Sequence, residues 1–172
     1  MLNADFDKTT ENLFKLAVEI EKEAANVYEK FSKVFAYMPQ IFAFWSGMRD
    51  DELEHATTLQ GISKSLSAEQ LISLPDHALW NSVVDVRRML GRDLTVSVEN
   101  LDDAYELAHE LESSEVNNIF KFLTSHYVAS EEQEKLLDMQ IVRHLKKLMD
   151  FSSNYGDRHW RKEFKIQGGG SK

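Results

Sequence analysis

Carboxylates and imidazoles recur in this chain at places where helical spacing calls for apolar residues. Glu21 lies four residues from Ala17 and Ala25, three from Ala24 and seven from Tyr28, inside an inward-facing stripe. A second series, Ile41, Trp45, Met48, Glu52, His55, Leu59 and Ile62, is apolar except for the Glu and His three apart. A third, Leu101, Tyr105, Ala108, Glu112, Glu115, Ile119 and Phe122, contains two carboxylates, and in a fourth His144 falls between Leu137, Ile141 and Leu148. Burying one unpaired carboxylate costs on the order of several kcal/mol and usually forces protonation. Four carboxylates and two imidazoles converging on one core therefore need positive charge. Divalent cations supply it, because hard and intermediate metals take oxygen and imidazole ligands. The chain has no Cys, which removes disulfides, thiolate zinc sites, iron–sulfur clusters and cysteine nucleophiles, so Asp, Glu and His must hold any metal.

The elements that position these groups read as helices almost throughout. A first long helix runs from about Thr9 to Ala36, and Tyr37-Met38-Pro39 breaks it. Pro39 suits the first turn of the next helix, which needs no amide hydrogen there and extends to about Leu66. Residues 67–98 are less regular, with a turn at Leu74-Pro75-Asp76 and a short helix from Leu79 to Leu90 ending near Gly91. A third long helix starts after Thr95 or Ser97 and continues past Leu123. The fourth starts at a capping box, Ser130-Glu131-Glu132-Gln133, and runs to Asn154-Tyr155-Gly156. The expectation is an all-α fold: an antiparallel four-helix bundle made of two hairpins joined by a long crossover. Residues equidistant from a hairpin turn share one height, which brings Glu21 level with His55, and Glu112 level with His144.

The two hairpins resemble each other. Leu16-Ala17-Val18-Glu19-Ile20-Glu21 and Leu107-Ala108-His109-Glu110-Leu111-Glu112 share four identities, and Glu-to-His separations are 34 and 32 residues. Ordinary buried salt bridges are the competing account of the six polar residues, with Arg49, Arg143 and Lys135 as the nearby cations. Glu19, Lys22, Glu23, Glu29 and Lys30 belong to solvated faces, as do His109, His126 and Lys135.

The run Glu19-Ile20-Glu21-Lys22-Glu23-Ala24-Ala25-Asn26-Val27-Tyr28, followed by Asp51-Glu52-Leu53-Glu54-His55-Ala56, resembles the first hairpin of a rubrerythrin-like member of the ferritin-like superfamily. The resemblance covers residues 9–66 well and 99–151 loosely. It implies a ferritin-like bundle with Glu21, Glu52 and His55 as first-half metal ligands, Glu112 as the counterpart of Glu21, and Glu115 as an additional carboxylate. Tyr28, seven residues after Glu21, would be catalytic, hydrogen-bonding to a ligand or a bound oxygen species; as a residue type it serves equally as a core aromatic. The implied cofactor is iron, one or two ions, with manganese or zinc as substitutes. The implied activity is that of a non-haem iron oxidoreductase acting on peroxide or dioxygen. Two departures stand out. With His144 matched to His55, Ile141 takes the place of Glu52, so a second bridging carboxylate is missing. The other register, Glu132-Gln133-Glu134-Lys135, puts Lys in place of His and sits too near the helix start. Without Cys there is no rubredoxin-type relay, and an external electron donor is required.

Composition narrows the remaining classes. The 172 residues fit one domain, and 42% hydrophobic with 28% charged is a globular, water-soluble balance. Seven Gly and two Pro are too few for the turns of an all-β fold. A net charge of −9 disfavours nucleic acid and anionic membrane as partners. The start of the chain lacks the pattern of a signal peptide and no run is long enough to span a bilayer, so the chain is expected in the cytoplasm, unless it is the trimmed form of an exported protein. Residues 1–156 are read as the bundle. Residues 157–172 are read as a basic, aromatic tail, Arg158 to Lys165, ending in a Gly-rich linker. No phosphate loop, serine elbow or dinucleotide motif appears. A homodimer through helix faces is the expected assembly, and a metal-free helical bundle used for binding or assembly is the alternative function.

Overall fold

The computed structural model describes residues 7–91, 94–113, 115–128 and 130–154, apart from the side chains of residues 96, 97, 115 and 152–154. Residues 157–172, read above as a tail, lie outside the described residues. Among those described, the chain is all-helical, with no β-strand. In chain order the helices are α1 (Thr10–Val34), α2 (Pro39–Ser65), α3 (Ala68–Ile72), α4 (His77–Leu90), α5 (Leu101–Glu112), α6 (Glu115–Tyr127) and α7 (Glu131–Asn154), with a 3₁₀ turn at Leu94–Ser97. No helix among the described residues is long and apolar enough to cross a membrane.

Side-chain caps set most helix starts, as the first orphan amides of a helix require. Thr9 Oγ1 accepts from the Asn12 amide at 3.2 Å, Asp76 Oδ1 from Leu79 at 2.8 Å, and Ser130 Oγ from Gln133 at 3.2 Å. Pro39 opens α2 without a side-chain cap. The long α1 buries Leu13, Leu16, Ile20, Ala24, Val27 and Phe31, and α2 answers with Ile41, Trp45, Met48, Leu59 and Ile62.

Contacts between these helices run in opposite senses. Along α1 and α2, Phe31 meets Trp45, Glu29 meets Arg49 and Glu21 meets His55, so one series falls as the other rises. Between α2 and α7, Phe44 stacks on Phe151, Asp51 meets Lys147 and Glu54 meets Gln140. Tyr28 reaches Glu112 on α5, and Phe14 packs edge-on against Tyr127 of α6 at 5.2 Å. The α1–α2 and α2–α7 pairs are therefore antiparallel.

Two features differ from the sequence expectation. Within residues 67–98 an unexpected α3 is opened by a reciprocal capping box of Ser67 and Gln70, while the expected short helix is present as α4, which buries Leu79, Trp80, Val83, Val86 and Leu90. That stripe at helical spacing packs against α1 and α6. The single third helix is instead two pieces, beginning after Asn100. Ser113 caps α5, its amide N–H donating to the His109 carbonyl at 2.9 Å, and α6 resumes at Glu115. Asn117 Nδ2 donates to the Glu112 carbonyl at 2.8 Å beside the break. Past it the buried face is Val116, Ile119, Phe120 and Leu123, while Phe122, placed above on the inward stripe, is 38% exposed.

Candidate metal centre

The helix phases bring five of the expected side chains together. Glu21 from α1, Glu52 and His55 from α2, Glu112 from α5 and His144 from α7 are all buried. Glu52 and His55 share a face because three residues make most of one turn, and His55 Nδ1 lies 3.2 Å from Glu52 Oε2. The same nitrogen is 3.6 Å from Glu21 Oε2. On the other side, His144 Nε2 lies 3.1 Å from Glu52 Oε1 and 2.7 Å from Glu112 Oε1. The result is two donor groups, Glu21–Glu52–His55 and Glu52–Glu112–His144, each with its ligand atoms within 4.8 Å of one another. Glu52 belongs to both, offering one oxygen to each. The two imidazole centroids are 5.5 Å apart. Glu115 opens α6, but its side chain lies outside the described residues. Ile141, in the position matching Glu52, is buried and brings no carboxylate.

The cations named from the sequence go elsewhere. Arg49 binds Glu29 at 2.6 Å and Asp50 at 2.7 Å, Arg143 binds Glu54 at 3.0 Å, and Lys135 is exposed. No guanidinium among the described residues clasps the buried carboxylates. The cation that does approach is Lys147, one turn beyond His144, whose Nζ donates to Asp51 at 2.6 and 2.8 Å.

Sequence reasoning missed three supporting side chains. Asp51 Oδ2 accepts from His144 Nδ1 at 3.1 Å, which turns Nε2 toward Glu52 and Glu112; Lys147 holds Asp51 in turn. Asn117 Nδ2 donates to Glu112 Oε2 at 2.8 Å. Lys147, three residues after His144, was not singled out, because only the packing of α2 against α7 brings it to Asp51. Asp51 sits in the quoted run beside Glu52, but adjacency on a helix says nothing of facing, and Asn117 depends on the break. Tyr28, named from the sequence, donates its hydroxyl to Glu112 Oε1 at 2.5 Å, and its ring stacks on Trp45 at 5.9 Å.

Electrostatics divides the cluster. Burial pushes the Glu21 carboxyl well above its ordinary value, beyond what the nearby His55 imidazole offsets. Burial acts on Glu52 too, but the adjacent His144 and His55 imidazoles outweigh it and hold that carboxyl well below the usual range. Burial disfavours charge on both imidazoles, yet their carboxylates win: Glu21 and Glu52 raise His55 to about 9, and Asp51, Glu112 and Glu52 raise His144 to about 12. Burial, then the Glu112 charge, pushes the Tyr28 phenol up, so it remains a donor.

The residues fit a cation on a further ground. Among the described residues, Glu21 Oε2 and His144 Nε2 are buried with no hydrogen-bond partner. His144 Nε2 has two carboxylate oxygens close by without being aligned to donate to either. Donors that face a common point rather than one another suit an ion better than a proton. The buried Glu/His cluster can thus hold a metal ion. No protein-family model, curated protein or solved structure matches the chain.

Proposed function

We propose that this chain is a ferritin-like four-helix bundle, with α5 and α6 together forming its third rod and α3–α4 its crossover, and that it binds iron at one or two sites in a rubrerythrin-like manner. The observation that carries the reading is Glu52, buried, with each oxygen directed to a different imidazole–carboxylate group. Such sharing is what a carboxylate between two ions does, and a glutamate with Glu-x-x-His projecting inward is the pattern of the carboxylate-bridged bundle class. Glu21, Glu52 and His55 would hold one ion, and Glu52, Glu112 and His144 the other. Manganese or zinc suits the same donors. Bound iron would supply one-electron redox chemistry toward peroxide or dioxygen, the activity that the resemblance implies. The protein's own part is separable from that chemistry. Tyr28 holds Glu112 and offers a proton donor beside the site, Asp51 orients His144, and the apolar seam of Trp45, Phe120 and Leu59 excludes water. No Cys exists to relay electrons, so an external donor would deliver them.

A second reading, a metal-free bundle used for binding or assembly, draws on a specific observation. The imidazoles already meet carboxylates, and Lys147 already neutralises Asp51, so part of the charge is balanced without an ion. Elemental analysis of the purified chain separates the two. One or two equivalents of iron or manganese, lost in Glu52→Ala, are expected; metal-free protein whose melting is unchanged by ferrous iron would support the second reading.

A further inference from the structure

We propose that the two donor groups are unequal: Glu52–Glu112–His144 takes the first ion and retains it, whereas Glu21–Glu52–His55 takes a second ion that exchanges readily. This rests on the metal-binding reading above and adds an order of filling to it.

The argument lies in what stands behind each ligand. His144 is fixed through Nδ1 by Asp51 at 3.1 Å, and Asp51 by Lys147 at 2.6 Å, so Nε2 faces Glu52 and Glu112 before any ion arrives. Glu112 is held at both oxygens, by Tyr28 at 2.5 Å on Oε1 and by Asn117 at 2.8 Å on Oε2. Its Oε1 keeps one lone pair for a metal, and the carboxylate cannot turn away. The ordering cost for this group is met by folding, and outer contacts of this kind raise metal affinity. The other group is looser. Glu21 Oε2 has no hydrogen-bond partner among the described residues, and the ring of Phe120, 4.4 Å from that of His55, gives packing rather than a polar anchor. Because Glu52 is common to both groups, an ion on its Oε1 also opposes a second cation approaching Oε2.

Titration of the ion-free, full-length chain with Co²⁺, followed by calorimetry and visible absorption, tests the order. The wild type is expected to show two phases, the first tighter by about tenfold or more. His55→Ala should keep the tight phase and lose the weak one. Asp51→Asn, a milder change that leaves every donor in place, should weaken the tight phase by about 10- to 100-fold and leave the weak one unchanged. Two equal phases, a tight phase that disappears in His55→Ala, or an Asp51→Asn protein with wild-type affinity in the first phase would overturn the order. A wild type that takes up no cobalt would instead overturn the metal reading itself.

Discussion

Glu112 shows how tightly individual side chains are specified here. It accepts from Tyr28 on one oxygen and from Asn117 on the other, while the first of these oxygens also faces His144. Replacing Tyr28 by Phe keeps the stack on Trp45 and removes a hydrogen bond to a buried charged group, a loss of about 1.5–3 kcal/mol. Urea unfolding of ion-free Tyr28→Phe should show that decrease; a change near zero would mean that the phenol is only a core aromatic. The imidazoles predict a pH signature. His55 is raised from its ordinary 6.5 to about 9, so its contribution to ion-free stability is complete below 6.5 and disappears as pH rises through about 9. A metal needs the neutral ring, so metal affinity should rise across the same interval. Chemical denaturation and Co²⁺ binding, each followed from pH 6.5 to 9, should give slopes of opposite sign; slopes of the same sign would remove His55 from the ligand set. Glu21, Glu52, His55, Glu112 and His144 were legible because each interrupts an apolar stripe, and a polar residue there must have a partner. Asp51 and Lys147 were not singled out, because they flank their stripes and only the packing of α2 against α7 joins them.

At the level of elements, the sequence repeat between residues 16–21 and 107–112 is not matched by a like repeat at Glu52 and Ile141. Four residue series at helical spacing were enough to place α1, α2 and α7 within about two residues of their observed ends, the usual scatter of helix boundaries. The break between α5 and α6 was not legible, since no Gly or Pro marks it. Beside it the Asn117 side chain donates to the Glu112 carbonyl, a local contact that no residue pattern announces. One consequence is that Phe120, not Phe122, faces the site. On α7, Ile141 is buried one turn before His144, the place that Glu52 holds before His55 on α2. Ile141→Glu should destabilise the ion-free protein on the order of several kcal/mol, because it buries a charge. Manganese should restore much of that loss. Calorimetric scans with and without Mn²⁺ decide the matter, and a destabilisation indifferent to the ion would show that position 141 does not face the metal.

Across the whole molecule, the charge of −9 and the buried acids work in the same direction, since an acidic protein attracts cations and the core gives them donors. Antiparallel packing supplies the convergence: α1, α5 and α7 contribute one of the five polar groups each and α2 contributes two, and no helix suffices alone. An ion bound by the folded chain and not by the unfolded one raises stability by about 2.7 kcal/mol at a concentration of 100 times its Kd. The site would then serve the fold as well as any chemistry, and chelators would lower its melting temperature. The most direct test is anomalous diffraction at the iron and manganese edges from crystals grown with each metal. Two peaks flanking the Glu52 carboxylate are expected, one near His55 Nδ1 and one near His144 Nε2. A core without a peak, in which both imidazoles hydrogen-bond to the carboxylates, would contradict it.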